Sequence, residues 1–227
     1  MQSHIELQAA DGHVSIAYLS QPRGTPKGAV VILQEIFGVN SHIRSVADRY
    51  AEAGYLAVAP DMFSRVAAGT QLGYLPEDVK VGGSLKAKVE ALGGLALQDI
   101  QAAVEHVKHA GKVGIVGFCW GGLQSWRTAC SPVGVSAAVS YYGGGIASQA
   151  EISQTPLVPV MAHFGNQDHL IPMSDVDAIE AAHPQVIVHR YASGHGFNCD
   201  QRASFNAICA AEAGQRTLDF FEQHLCE

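Results

Sequence analysis

The hexapeptide Gly117-Phe118-Cys119-Trp120-Gly121-Gly122 constrains this chain more than any other feature. The apolar run Val113-Gly114-Ile115-Val116 leads into it, and a segment able to form a helix, 123–129, follows. Strand, G-x-C-x-G, helix is the layout of a nucleophile elbow with Cys where Ser usually sits. Glycines let the backbone reverse within a few residues, so the central side chain projects from the turn. The helix that follows points its N-terminus at the sulfur and favours a thiolate. A glycine-rich turn around a buried Cys has the same local pattern. The two differ in what the other strand ends must carry.

Apolar runs alternate with helix-like stretches along the whole chain. An N-terminal hairpin is expected from 4–7 and 14–19, with Asp11-Gly12 as its turn. Further strands are expected at 29–33, 55–59, 113–116, 137–140, 158–164 and 186–191, and helices at 43–53, 95–109, 123–129, 174–182 and 203–225. Short buried strands alternating with helices indicate an α/β fold with a mostly parallel, doubly wound sheet. No linker, repeat or low-complexity tract interrupts it, so one domain over 1–227 is expected. The segment 60–94, with glycine pairs at 82–83 and 93–94, is the least regular and is a possible cap.

Composition narrows the function. A hydrophobic content of 48% and a charged content of 15% belong to a globular chain. A net charge of −7 argues against nucleic acid as a partner. No run approaches the ~18 apolar residues of a membrane span, and residues 1–10 lack the apolar core of a secretory signal. The five cysteines are widely spaced and include no C-x-x-C pair. That suits free thiols in a reducing cytoplasm better than a disulfide framework or a zinc site. No metal and no organic cofactor is implied. A monomer or small homo-oligomer is expected.

In a doubly wound sheet, ligands gather at the carboxyl ends of the strands. Two more chemistry-bearing groups fall there. Asp168 follows the strand ending near Phe164, and His195 follows the strand ending near Tyr191. Nucleophile, acid, histidine is the chain order of an α/β-hydrolase triad. Cys119 would attack a carbonyl, His195 would stabilise the thiolate and later activate water, and Asp168 would fix the imidazole tautomer. The strand at 29–33 ends in Gln34-Glu35-Ile36-Phe37-Gly38. In hydrolases of this layout that loop supplies one backbone N–H of the oxyanion hole, here Ile36, and the residue after the nucleophile supplies the other, here Trp120. Glu35 is unusual beside a nucleophile, because a carboxylate there disfavours the thiolate. Phe37 and Tyr142, also at strand ends, are expected pocket walls.

Together these residues resemble the dienelactone hydrolase (carboxymethylenebutenolidase) family. The matching pieces are QEIFGVN at 34–40, APD at 59–61, GFCWGG at 117–122, YYGGG at 141–145, GNQDHLIP at 165–172, GHGF at 194–197 and RTLDFF at 216–221. The similarity covers essentially the whole chain. It implies an α/β-hydrolase fold and a Cys119–His195–Asp168 triad. It also implies that Glu35 holds the resting thiol neutral until substrate draws it aside, which would protect the sulfur from oxidation. One departure stands out. The family clamps a substrate carboxylate with two arginines. Here Lys80 falls near the first position, which loses a bidentate fork. Cys199 falls near the second, with Arg202 three residues further on and Arg65 another cation near a strand end.

A thiolate leaves a tetrahedral intermediate more readily than an alkoxide does. A Cys119 hydrolase should therefore prefer enol lactones and aryl esters, whose leaving groups compete with sulfur. The expected partner is a small lactone or ester. Two alternatives remain open at this point: a broader carboxylesterase or thioesterase with the same triad, and a non-catalytic ligand-binding protein of the same fold.

Overall fold

The structure, a computed structural model, describes residues 2–226. Strands β1 (Gln2–Gln8) and β2 (Val14–Ser20) form the expected hairpin. Its turn closes through Gly12, at φ 88°, with the Asp11 carboxylate accepting the His13 N–H at 3.1 Å. Then follow β3 (Ala29–Leu33), α1 (Ser41–Glu52), β4 (Leu56–Pro60), α2 (Ser64–Ala67), α3 (Pro76–Glu90) and α4 (Leu95–Val107). The second half alternates regularly: β5 (Val113–Phe118), α5 (Trp120–Ala129), β6 (Ala137–Tyr141), α6 (Gln149–Ile152), β7 (Val160–Gly165), α7 (Met173–Ala182), β8 (Ile187–Tyr191) and α8 (Ala207–Leu225).

The eight strands form one sheet in the order β1-β2-β4-β3-β5-β6-β7-β8. The β1–β2 and β2–β4 pairs are antiparallel, and all others are parallel. Strands β3, β4, β5, β6 and β7 are buried throughout, as continuous Val, Ile and Ala runs in a sheet covered on both faces require. Register then levels the strand ends. Leu33 lies opposite Gly117, Phe118 opposite Tyr141 and Gly165 opposite Tyr191. The loops after β3, β5, β7 and β8 therefore leave the sheet along one edge.

The largest difference from the sequence expectation is in 60–94. That segment is not irregular, because α3 runs for 15 residues within it. Pro76 opens the helix where its missing N–H costs nothing, and the Asp78 carboxylate accepts the Leu75 N–H at 3.0 Å. Gly82, which reads locally as a helix breaker, is a packing contact. A Cβ there would lie 2.1 Å from the Ile36 carbonyl oxygen, so its absence lets α3 press against the loop after β3. The last helix also starts later than expected, at Ala207, where Asn206 caps it by accepting the Cys209 N–H.

Candidate active site

The elbow is built by close approach. A Cβ on Gly117 would lie 1.8 Å from the Gly121 carbonyl oxygen, and one on Gly121 would lie 2.4 Å from that of Leu33. Only glycine at both positions lets β5 turn into α5 against the end of β3. Cys119 takes φ 54° and ψ −114° between them, a conformation other residues avoid. Its N–H donates to the Tyr141 carbonyl at 3.0 Å, which anchors the turn to β6. The sulfur projects at the N-terminus of α5.

Asp168 and His195 come from the loops after β7 and β8. The His195 Nδ1–H donates to Asp168 Oδ2 at 2.7 Å, and Asp168 Oδ1 accepts the Leu170 N–H at 2.8 Å. Both carboxylate oxygens are thus occupied, which fixes the imidazole with Nε2 as its free nitrogen. Nε2 is buried and makes no aligned hydrogen bond, while the Cys119 sulfur lies close enough to help set the ring's charge. Such contacts are often loose before substrate binds. Burial works against the imidazolium, but Asp168 and Cys119 outweigh it and hold the His195 pKa up at about 10.

The Ile36 and Trp120 N–H groups have no protein acceptor among the described residues. Each is braced by its neighbours. Ile36 is pressed by α3 at Gly82. Trp120 stacks on Phe63, with ring centroids 5.4 Å apart, and its indole Nε1–H donates to Glu90 at 2.7 Å.

Glu35 is 1% exposed. Its Oε1 accepts from Arg202 Nη1 at 2.9 Å, and its Oε2 has no hydrogen-bond partner. Glu35 is therefore paired with Arg202 and makes no hydrogen bond to the thiol. Arg202 is held against Phe37 and Tyr74, 5.7 and 6.0 Å from their ring centroids. Burial, and then the Glu35 charge, raise the pKa values of Tyr142 and Cys199, that of Cys199 to about 11. Tyr142 is fully buried, edge-on to the His195 ring at 5.1 Å, with its hydroxyl unpartnered. Phe37 is buried beneath Arg202. It forms the floor under that cation.

Two predicted cations lie elsewhere. Lys80 is exposed on α3, two residues from Gly82 and so about 200° around the helix from the face that meets Ile36. Arg65 is committed to Asp11 and Asp99. Sequence reading also missed two groups. Glu90 closes α3 and accepts from Trp120, Gln124 and Arg127. His42, buried in α1, bonds Asp200 through Nδ1 at 3.0 Å. Neither carries a local motif, and both act across long sequence separations. His42, Cys199 and Asp200 bring ligand-type atoms within 4.8 Å of one another. However, His42 already bonds Asp200, and the neighbouring Arg202 cation opposes a metal ion there. All five cysteines are free.

Beside His195 and Arg202 opens a cleft of about 1130 Å³, walled by Tyr74, the loop carrying Asp168 and the segment 201–206.

Comparisons with known proteins point the same way. The dienelactone hydrolase family profile matches residues 16–225. Carboxymethylenebutenolidase of Pseudomonas putida is 35% identical, with 95% of this chain and 94% of that one covered. A Synechocystis relative named for the same enzyme is 38% identical, covering 92% and 91%. A Klebsiella pneumoniae crystal structure named for dienelactone hydrolase superposes with a TM-score of 0.85 at 29% identity, covering 99% of this chain and all of that one.

Proposed function

The chain belongs to the dienelactone hydrolase family and is a carboxylic-ester hydrolase, and on that premise we propose that it opens enol lactones such as dienelactone, or cleaves related activated esters, through a thioacyl-enzyme on Cys119. The observation that carries this reading is the Cys119 elbow beside an imidazole that Asp168 holds at 2.7 Å.

In this mechanism the Cys119 thiolate attacks the carbonyl carbon. A C–S bond forms, and the carbonyl electrons move to oxygen, where the Ile36 and Trp120 N–H groups receive them. Collapse of the intermediate breaks the C–O bond. The His195 imidazolium gives its Nε2 proton to the departing enolate or aryloxide, which in a lactone stays tethered to the acyl group. His195, now neutral, takes a proton from water, and the hydroxide attacks the thioester. The second collapse expels the Cys119 thiolate and leaves the carboxylic acid product. Asp168 serves throughout by fixing the ring tautomer and favouring its charged form.

Glu35 guards the thiol in this scheme. While it faces the sulfur it keeps the thiol protonated, and when substrate draws it aside the sulfur ionises against His195. The Glu35–Arg202 pair supports the part of this scheme in which a cation receives Glu35 away from the sulfur. The enzyme acts as one catalytic domain spanning the chain, as a monomer or small homo-oligomer in the cytoplasm, without metal or cofactor. One continuous sheet supports the domain assignment, and five free cysteines support a reducing compartment. Among the described residues no helix is long and apolar enough to cross a membrane.

The test is steady-state hydrolysis of cis- and trans-dienelactone beside p-nitrophenyl acetate, with native protein and Cys119→Ala. Turnover of dienelactone that vanishes in the variant is expected. Turnover of the aryl ester alone would move the reading to a broader esterase, and binding without any turnover would move it to a non-catalytic protein.

A further inference from the structure

The cleft beside His195 has an apolar rim. Leu75 is 60% exposed, Leu170 71% and Phe205 40%, and all three line it. Single exposed apolar side chains are ordinary, but a cluster around a concave site marks a surface that something apolar covers. These three come from separate parts of the chain: the start of α3, the loop after β7 and the segment before α8. Each is held by its own backbone. The Leu75 N–H donates to Asp78, the Leu170 N–H to Asp168 and the Phe205 N–H to the Arg202 carbonyl. The rim is therefore fixed, and the Leu170 bond ties it directly to the carboxylate that orients His195.

The charge in the cleft points the same way. Its lining includes no carboxylate and no lysine. Its one guanidinium, Arg202, is already paired with Glu35, and its charged imidazole, His195, with Asp168, so neither offers a free cation to a ligand. Lys80 sits on the far side of α3. A free fork for a substrate carboxylate is missing from the lining, and apolar contacts take its place. The volume of about 1130 Å³ lies slightly above the ~300–1,000 Å³ of typical ligand pockets and leaves room beyond a compact monocyclic lactone.

We propose that the preferred substrate is a neutral ester or lactone with an extended apolar arm, seated between Leu75, Leu170 and Phe205. This rests on the thiol-hydrolase reading above and sharpens it. Dienelactone then turns over as a minimal substrate that reaches Cys119 but leaves the rim uncovered.

The test compares kcat/KM for three esters of one leaving group: p-nitrophenyl acetate, p-nitrophenyl octanoate and mono-p-nitrophenyl suberate. The suberate matches the octanoate in length but ends in a carboxylate. Octanoate is expected to exceed acetate by at least about tenfold, since each buried methylene contributes a factor of about four. It is expected to exceed suberate likewise, since the suberate carboxylate meets no free cation in the cleft. In Leu75→Ser and in Phe205→Ser the octanoate-to-acetate ratio is expected to fall toward one. The ratio is read within each variant, so a general loss of activity cancels. Equal or better turnover of acetate or suberate by the native protein would overturn the proposal, as would variants that keep the native ratio. Failure to turn over any of the three esters, with the circular dichroism of the folded protein intact, would instead overturn the thiol-hydrolase reading and this proposal with it.

Discussion

The Asp168 to His195 hydrogen bond helps set the charge on the residue that, in the proposed mechanism, both gives and takes a proton. Asp168 and the Cys119 sulfur raise the His195 pKa from the ordinary value near 6.5 to about 10. A raised pKa means that the folded state holds this proton more tightly than the unfolded chain. The contribution to stability is complete below about pH 6.5 and fades as pH climbs through about 10. The alkaline limb of kcat/KM is expected near pH 10, where the imidazolium loses its proton. In Asp168→Asn that limb should move to lower pH and kcat should fall at least about a hundredfold, which a pH–rate profile would check. An unmoved limb would deny Asp168 its role. Glu35 makes a second residue-scale prediction. Glu35→Gln removes the carboxylate that opposes a thiolate, so Cys119 alkylation in the variant should begin at lower pH than in the native protein. Identical alkylation profiles would remove Glu35 from the control of the thiol. The placement of Cys119, Asp168 and His195 at strand ends was legible in sequence, because Cys119 directly follows β5 and the other two lie in the short loops after β7 and β8. The pairing of Glu35 with Arg202 was not, since it joins residues far apart in the chain that meet only after β3 and the segment before α8 are folded.

Among the elements, α3 contributes most that sequence reading did not supply. Its Gly82-Gly83 pair weakens the local helix signal. The reason for a glycine at 82 appears only when the Ile36 carbonyl lies 2.1 Å from the missing Cβ. The β5–α5 elbow was the opposite case. Its strand, its glycines and its helix are contiguous, so the motif contained its own geometry. Glu90 joins the two elements, accepting from the Trp120 indole at 2.7 Å and from Arg127 at 2.8 and 2.9 Å. Glu90→Ala leaves the Trp120 and Gln124 donors and the Arg127 charge without this partner. A loss of about 1–3 kcal/mol in stability is expected, with a fall in kcat as Trp120 loosens. Glu90→Gln, which still accepts from the indole, should recover more of kcat than of stability. Denaturant titration beside kinetics separates the two effects, and an unchanged kcat in Glu90→Ala would show that α3 does not brace the elbow.

At the scale of the molecule, the sheet gathers four loops along its carboxyl edge, and the N-terminal hairpin forms one lateral end of the sheet. The alternation of short apolar strands and helices revealed the parallel core, whereas strand order required the register of β3 between β4 and β5. Arg65 fastens the hairpin turn to the body through Asp11 and through Asp99, which is 2% exposed. Arg65→Ala strands a buried carboxylate, so a loss of about 3–5 kcal/mol is expected by chemical denaturation, with normal kcat for the folded fraction. A stability change within experimental error would mean that Asp99 finds another partner. The central claim for the whole molecule is that hydrolysis passes through an acyl group on Cys119. The most direct measurement is rapid acid quench during turnover of p-nitrophenyl octanoate, followed by intact-mass and peptide analysis. The mechanism predicts one acyl group per chain, on the peptide containing Cys119, that accumulates early, decays as substrate is exhausted and is absent from Cys119→Ala. An acyl group on another residue, or full turnover by Cys119→Ala, would contradict it.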